Sequence, residues 1–415
     1  MRNALPRAGL ARDEILARME SYVVGDVDWR RGRVPLYVFK ANEDIGALGR
    51  DAFFRFFSEN GLGAKRAFKG LKRMEDEIVA MGLSLLNAPD DAAGTFTTGG
   101  SESIIAIVKA ARDWLRAESG RPDRRFNIVL PYSAHPAFTK AAMLMDIELR
   151  RVPLAANYRA DVERMAQATD PDTLMLVGSA PCFPYGTIDP ISALSDLAIE
   201  KKLWLHVDAC VGGYLAPFVA KAGFPVPAWD FSVPGVTSIS ADLHKFEFCP
   251  KPASTTFYRS AKHAAFQFFE CGDWPGGVYN TATIVGTRPG GAIAGAWATL
   301  QGLGEAGYTE TARQIMGVVA QYRRGVEALG LRVLGNPELS ILCFTADDVD
   351  MMDVGAAMAE RGWLPGHTRE PRSMHMMLSM LHAPAVDDYL ADLKASLAQV
   401  RASKSTGAKL DATYS

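Results

Sequence analysis

Two short strings in this chain carry the residue types needed to stabilise a carbanion. Lys245 closes Ser238-Ile239-Ser240-Ala241-Asp242-Leu243-His244-Lys245, where a strand-like run breaks into a turn. Asp208 stands 37 positions earlier (245 − 208), in His206-Val207-Asp208-Ala209-Cys210. A lysine amine bonds to an aldehyde cofactor, and a buried carboxylate keeps a pyridine nitrogen protonated, so the pair reads as an electron-sink site for pyridoxal 5'-phosphate. Taken singly, Asp208 also fits a helix cap and Lys245 a surface lysine.

Two further strings add weight. Phe96-Thr97-Thr98-Gly99-Gly100-Ser101-Glu102-Ser103 runs into an amphipathic helix with Ile104, Ile105, Val108 and Leu115 on its apolar positions. Glycines admit an anion to the backbone amides, the helix N-terminus adds partial positive charge, and Ser101 or Thr98 adds a hydroxyl, which together make a cradle for a phosphate. A glycine turn that merely caps a helix is the plainer alternative. Ser133-Ala134-His135 follows the apolar run Asn127 to Leu130, and an imidazole there either stacks on an aromatic cofactor or is a satisfied structural histidine. The order of all four strings, each at a strand end, favours the cofactor site.

The elements that must position them follow a rhythm. Short apolar runs at 127–130, 174–178, 203–207 and 236–240 alternate with helical stretches such as Ile191 to Lys201, which predicts an α/β fold with a mostly parallel sheet whose active site collects at the carboxyl ends of its strands. Residues 1–60 read as an N-terminal helical arm, with a first strand signal at Tyr37-Val38-Phe39. Residues 61–300 read as the large cofactor-binding domain, and 301–415 as a small C-terminal α+β domain. In the latter, strands are expected at 332–334 and 339–344, a helix over 354–361, and a mobile tail from Ser403 that carries Tyr414. Gly/Pro breaks at 274–277 and 288–291 precede a long helix from about Ala292.

Composition excludes several classes. The 415 residues are 48% hydrophobic and 22% charged with a formal charge of −2, which leaves no basic face for nucleic acid. Five cysteines without close spacing argue against a disulfide framework and a structural zinc site, so no metal is expected and the compartment is reducing. Neither a membrane span nor the apolar core of a signal peptide is visible, and a cytoplasmic protein is expected.

The segments TTGGSESI, SAHPAFTKAA, GSAPCFPYGTIDPI, HVDACVGGYLAPF, SISADLHKFEFCPKPASTTFYR and GGVYNTATIVGTRPGG resemble, in order and spacing, the sphingosine-1-phosphate lyase branch of the group II pyridoxal-phosphate decarboxylases. The likeness runs from about Phe68 to the C-terminus and includes GNPELSIL and the pair His375 and His382. It implies a type I aminotransferase-like fold and a homodimer whose active sites are completed by the partner subunit. By motif, Lys245 is the lysine that bonds the cofactor, Asp208 the partner of the pyridine nitrogen and His135 the stacking histidine. Gly100, Ser101 and His244 fall where the family holds the phosphate, and Gly286 and Thr287 match a loop that reaches the neighbouring subunit's phosphate. Lys251 matches a second family lysine near the substrate; read without the family, it is a solvated lysine before a strand at 253–258.

The expected reaction is carbon–carbon cleavage of a phosphorylated 2-amino-3-hydroxy compound to an aldehyde and an amine. Amino-acid decarboxylation is the alternative, and a cofactor-binding partner subunit without turnover is a third, disfavoured by the intact Lys245, Asp208 and His135. The two reactions differ in one demand, because retro-aldol cleavage needs a base for the hydroxyl proton. Tyr185, Lys251, His135 and Tyr414 are candidates, with Tyr185 and Lys251 first. One departure bears on the substrate: where the lyases carry a proline- and histidine-bearing stretch that contacts the substrate phosphate, residues 60–69 here lack the histidine. A basic run of Lys65, Arg66, Lys69, Lys72 and Arg73 either replaces it or forms a solvated helix face.

Overall fold

A computed structural model of the chain describes residues 4–120 and 123–402. Its large sheet is built from β1 (Ala93–Thr97), β2 (Asn127–Pro131), β3 (Glu148–Val152), β4 (Thr173–Ser179), β5 (Trp204–Asp208), β6 (Val236–Ala241) and β7 (Ser254–Tyr258), in the order β1-β7-β6-β5-β4-β2-β3. From β3 through β6 neighbouring strands are parallel, while β7 pairs antiparallel with both β6 and β1. Every residue of β2, β4 and β5 is buried, which is why these strands read as unbroken apolar runs: helices cover both faces of a parallel sheet. The fold class expected from the rhythm of runs is the one observed. Between β2 and β4 the chain departs in opposite directions, making the switch point at which such sheets bind ligands.

The arm and large domain carry α1 (Arg12–Tyr22), α2 (Glu43–Arg55), α3 (Lys69–Leu85), α4 (Gly100–Ser119), α5 (Ala137–Met145), α6 (Val162–Gln167), α7 (Ile191–Lys201), α8 (Ala216–Lys221) and α9 (Ala261–Ala265). A hairpin of β8 (Phe269–Cys271) and β9 (Tyr279–Thr281) then leads into α10 (Gly290–Ala328). The small sheet follows, with β10 (Arg332–Val333), β11 (Ile341–Thr345), β12 (Gly366–Arg369) and β13 (Arg372–Met377) in the antiparallel order β10-β11-β13-β12, backed by α11 (Met351–Glu360) and α12 (Val386–Ala402). Residue 300 lies inside α10, whose helical course is interrupted at Gly304 (φ 57°, ψ 177°), so one long helix bridges the two domains.

The expected strand at Tyr37-Val38-Phe39 does not form. Residues 33–36 instead dock on the small domain as irregular backbone: Leu364 N donates to Arg33 O (2.9 Å), Met377 N to Pro35 O (2.8 Å), and His382 Nε2 lies 3.0 Å from Val34 O. Tyr37 then turns the chain with φ 60°. This part of the arm is a component of the small domain, whereas α1 buries no residue.

Candidate active site

Asp208 is the last residue of β5 and is buried; its Oδ1 accepts the backbone N–H of Cys210 (3.1 Å) and the hydroxyl of Ser240 (3.3 Å) from the neighbouring β6. Lys245 follows β6 by four residues, and its Nζ lies 3.0 Å from Asp242 Oδ2. His244 accepts the N–H of Ala253 on Nδ1 (3.2 Å), which puts the proton of the neutral ring on Nε2, 3.8 Å from the same Asp242 oxygen. Burial holds His244 below the usual histidine range, with Asp242 opposing. His135 is likewise kept neutral chiefly by burial, and its Nδ1 accepts the N–H of Ala137 (3.1 Å) at the start of α5.

Asp242 was not among the residues expected from the sequence, although it stands three positions before Lys245. Its carboxylate is buried under the first residue of α4: a Cβ built on Gly100 would lie 3.0 Å from each of its oxygens and 2.8 Å from Cys210 Sγ, so only glycine fits there. Burial raises its pKa, but the charges of Lys245 and His244 and the hydroxyl of Ser254 outweigh that and hold the carboxyl low. Its Oδ1 has no hydrogen-bond partner among the described residues.

The glycine turn is braced from within. Glu102 accepts the N–H and the hydroxyl of Thr98 (both 2.7 Å) on Oε2, and the N–H of Val285 (3.1 Å) on Oε1. Thr98 therefore spends its hydroxyl on Glu102, and Ser101, exposed at the start of α4, is the hydroxyl left for a phosphate. The Val285 bond also ties the loop bearing Gly286 and Thr287 to the helix start. Thr287 itself accepts Asn60 Nδ2 (3.2 Å), and Gly286 lines a cavity of about 190 Å³ with Leu62, Lys65 and Arg288, away from Lys245. Of the basic run, Lys72 pairs with Asp76 and Arg73 Nε with Glu77 (2.8 Å), so both are solvated pairs along α3.

Two cavities share Phe183 as a wall. One, of about 290 Å³, is lined by His135, Tyr185 and Arg151 and by His367, Glu370 and His375 of the small domain. The other, of about 140 Å³, holds Lys245, His244 and Lys251 beside Leu36, Tyr37 and Phe39. The strand ends, the small domain and the docked arm thus meet over Lys245. A larger cavity of about 800 Å³, between the end of α3, α8 and the break in α10, contains none of the expected site residues. Lys251 is pushed below the ordinary lysine range by burial, with Lys245 adding to the shift and Cys249 opposing it. Tyr185 donates its hydroxyl to Glu370 O (2.6 Å), and burial raises its pKa far above the working range, so it stays protonated. Tyr414 lies outside the described residues.

These residues suit pyridoxal phosphate: a glycine-lined helix start for its phosphate, an oriented carboxylate at the carboxyl end of β5, and a neutral imidazole and a lysine in two cavities that share Phe183 as a wall. The pyridoxal-dependent decarboxylase conserved domain matches residues 70–347. The chain belongs to that family. Within it, the chain is 38% identical to sphingosine-1-phosphate lyase of Oryza sativa over 97% of its length and 75% of the relative's, and 39% identical to sphingosine-1-phosphate lyase 1 of Rattus norvegicus over 95% and 70%. The solved sphingosine-1-phosphate lyase of Burkholderia pseudomallei superposes with a TM-score of 0.92 at 37% identity, covering 97% of this chain and 94% of that one. A probable L-tyrosine/L-aspartate decarboxylase of Methanothermobacter thermautotrophicus is 33% identical over 78% of this chain. Glutamate decarboxylase of Lactobacillus brevis, at 18% identity and a TM-score of 0.86, shares the fold. As expected from Lys245 and Asp208, the cofactor of this lyase family is pyridoxal 5'-phosphate.

Proposed function

We propose that the protein is a pyridoxal-phosphate-dependent aldehyde-lyase that splits a carbon–carbon bond of a sphingosine-1-phosphate-like 2-amino-3-hydroxy compound into an aldehyde and an amine. The near full-length likeness to sphingosine-1-phosphate lyases carries this reading. Bound cofactor supplies the electron sink; the protein supplies orientation and proton transfer. Lys245 would bond the cofactor, Asp208 would keep its pyridine nitrogen protonated, His135 would stack on its ring, and Gly100, Ser101 and His244 would hold its phosphate.

Lys251 supports the retro-aldol direction over decarboxylation. Burial beside Lys245 favours its neutral amine, the form that accepts a hydroxyl proton, in the cavity that holds Lys245. Tyr185, held as a donor by its elevated pKa, suits the opposite task of giving or sharing a proton. A homodimer is part of the proposal: Tyr22 of α1, Phe54 of α2, and Phe57 are 76%, 64% and 67% exposed, apolar side chains that a second copy would cover while bringing Gly286 and Thr287 to the other site. Free cysteines throughout agree with a cytoplasmic setting.

Holoenzyme incubated with sphingosine 1-phosphate and with shorter, unphosphorylated 3-hydroxy amines is expected to release aldehyde, and Lys251→Ala to abolish release while retaining the cofactor's colour. Carbon dioxide from an amino acid, with no aldehyde from any hydroxy amine, would overturn the proposal. Protein that never acquires the cofactor's absorption band, unchanged by added cofactor or by Lys245→Ala, would overturn both enzyme readings.

A further inference from the structure

A run of polar side chains leads through the sheet to Asp208 without reaching either cavity. Trp204 Nε1 donates to Ser238 Oγ (2.7 Å); Ser238 Oγ lies 3.0 Å from His206 Nδ1; His206 Nε2 lies 3.3 Å from Ser240 Oγ; and Ser240 Oγ lies 3.3 Å from Asp208 Oδ1. Trp204, Ser238, His206 and Ser240 are each at most 1% exposed, so no solvent completes these bonds.

Donor chemistry favours one direction along the run. Indole N–H only donates, so Ser238 receives it and turns its own proton toward His206 Nδ1. The imidazole, uncharged because burial pulls its pKa down to about 4, then carries its proton on Nε2 and gives it to Ser240. Ser240 is left with its hydroxyl proton for Asp208, an acceptor-only group when ionised. Reversing the run would leave the Ser238 proton without a side-chain acceptor among the described residues and take a donor from a buried carboxylate, each at a cost. All dipoles therefore point toward Asp208, the arrangement that favours its charged form and polarises each successive bond.

We propose that Trp204, Ser238, His206 and Ser240 form a one-way hydrogen-bond chain, with His206 as its central positioning residue, that keeps Asp208 ionised and aimed at the cofactor's ring nitrogen. The proposal rests on the reading that Asp208 faces that nitrogen. His206 touches neither substrate nor cofactor; it acts through Ser240, and on its other side it packs against Phe138 at 5.7 Å between ring centroids.

The test compares binding of pyridoxal phosphate with binding of its 1-deaza analogue, which has carbon in place of the ring nitrogen, to apoprotein by absorbance titration. Wild type should prefer pyridoxal phosphate. His206→Leu should shrink that preference about tenfold, the equivalent of one pKa unit at Asp208, while leaving affinity for the deaza analogue unchanged. His206→Gln, whose amide both accepts and donates, should restore it to within about threefold. Loss of affinity for both ligands alike in His206→Leu, or a preference equal to wild type, would overturn the chain. Should His206→Leu fail to fold, Ser240→Ala removes the final donor and must give the same loss. A wild type without preference would sink the Asp208 reading itself, a separate outcome from failure of the chain.

Discussion

Arg288 offers a perturbation whose size can be worked out from the structure. Its guanidinium sits just past Gly286 and Thr287, donates to Glu75 Oε1 (2.7 Å) on α3, and reaches the carbonyls of Gly61 (3.2 Å) and Phe96 (3.4 Å). The Arg288 and Glu75 side chains are 10% and 11% exposed, so neither charge is relieved by water when the other is lost. Arg288→Met strands a buried carboxylate, and breaking a buried pair from one side costs about 3–5 kcal/mol. Removing both charges in Arg288→Met/Glu75→Leu takes one donor from each carbonyl, and Gly61 O keeps the N–H of Ala64 (3.2 Å), a deficit of about 1–2 kcal/mol. The double variant must therefore be more stable than the single one. Urea unfolding of apoprotein, followed by tryptophan fluorescence and read at the midpoint of the first transition, measures the order. A single variant within about 1 kcal/mol of wild type, or a double variant no better than the single, would refute the reasoning.

Acid should destabilise the protein through His375, which burial depresses from 6.5 to about 4. The unfolded chain takes up that proton first, so the stability it confers is complete above pH 6.5 and is lost on descent toward about 4, up to about 3 kcal/mol; His375→Gln should flatten the fall, and parallel acid limbs would contradict the assignment. Asp242→Asn should lower the pKa of Lys245 by removing the carboxylate 3.0 Å from its Nζ, so trinitrobenzenesulfonate labels Lys245 of the apoprotein about tenfold faster near neutral pH; an unchanged labelling rate would show that the pair has no hold on the lysine.

What could be read from the sequence divides along physical lines. The runs at 127–130, 174–178, 203–207 and 236–240 became β2, β4, β5 and β6 because a strand buried on both faces is mostly apolar, with His206, Ser238 and Ser240 as buried polar exceptions. β3, Glu-Leu-Arg-Arg-Val, gave no such signal: as the edge strand it keeps Glu148 exposed and Arg150 and Arg151 partly so. The opposite error occurred at Tyr37-Val38-Phe39, where aromatic and β-branched residues imitate a strand. There the preceding carbonyls are already taken by Leu364, Met377 and His382, and no ladder partner lies alongside among the described residues.

The residues proposed to anchor the cofactor share a related feature. Asp208, His135, Gly100 and Lys245 each sit within a few residues of a strand end, so local spacing along the chain fixes their place in space. Selection of the bond to be broken has no such local signature. The shifted pKa of Lys251 comes from burial against Leu36, Tyr37 and Phe39, contributed by an arm more than 200 residues away in the chain, and the hydroxyl of Tyr185 is set by a carbonyl of the small domain 185 residues on. Asp242 falls between the two cases. It was in plain view three residues before Lys245, yet only the closeness of Gly100 explains why a carboxylate belongs there, and that contact joins the ends of two strands that are not neighbours in the sheet. Chemistry that the cofactor performs is thus written in local motifs, whereas the choice among its reactions is written in packing between segments that only folding brings together.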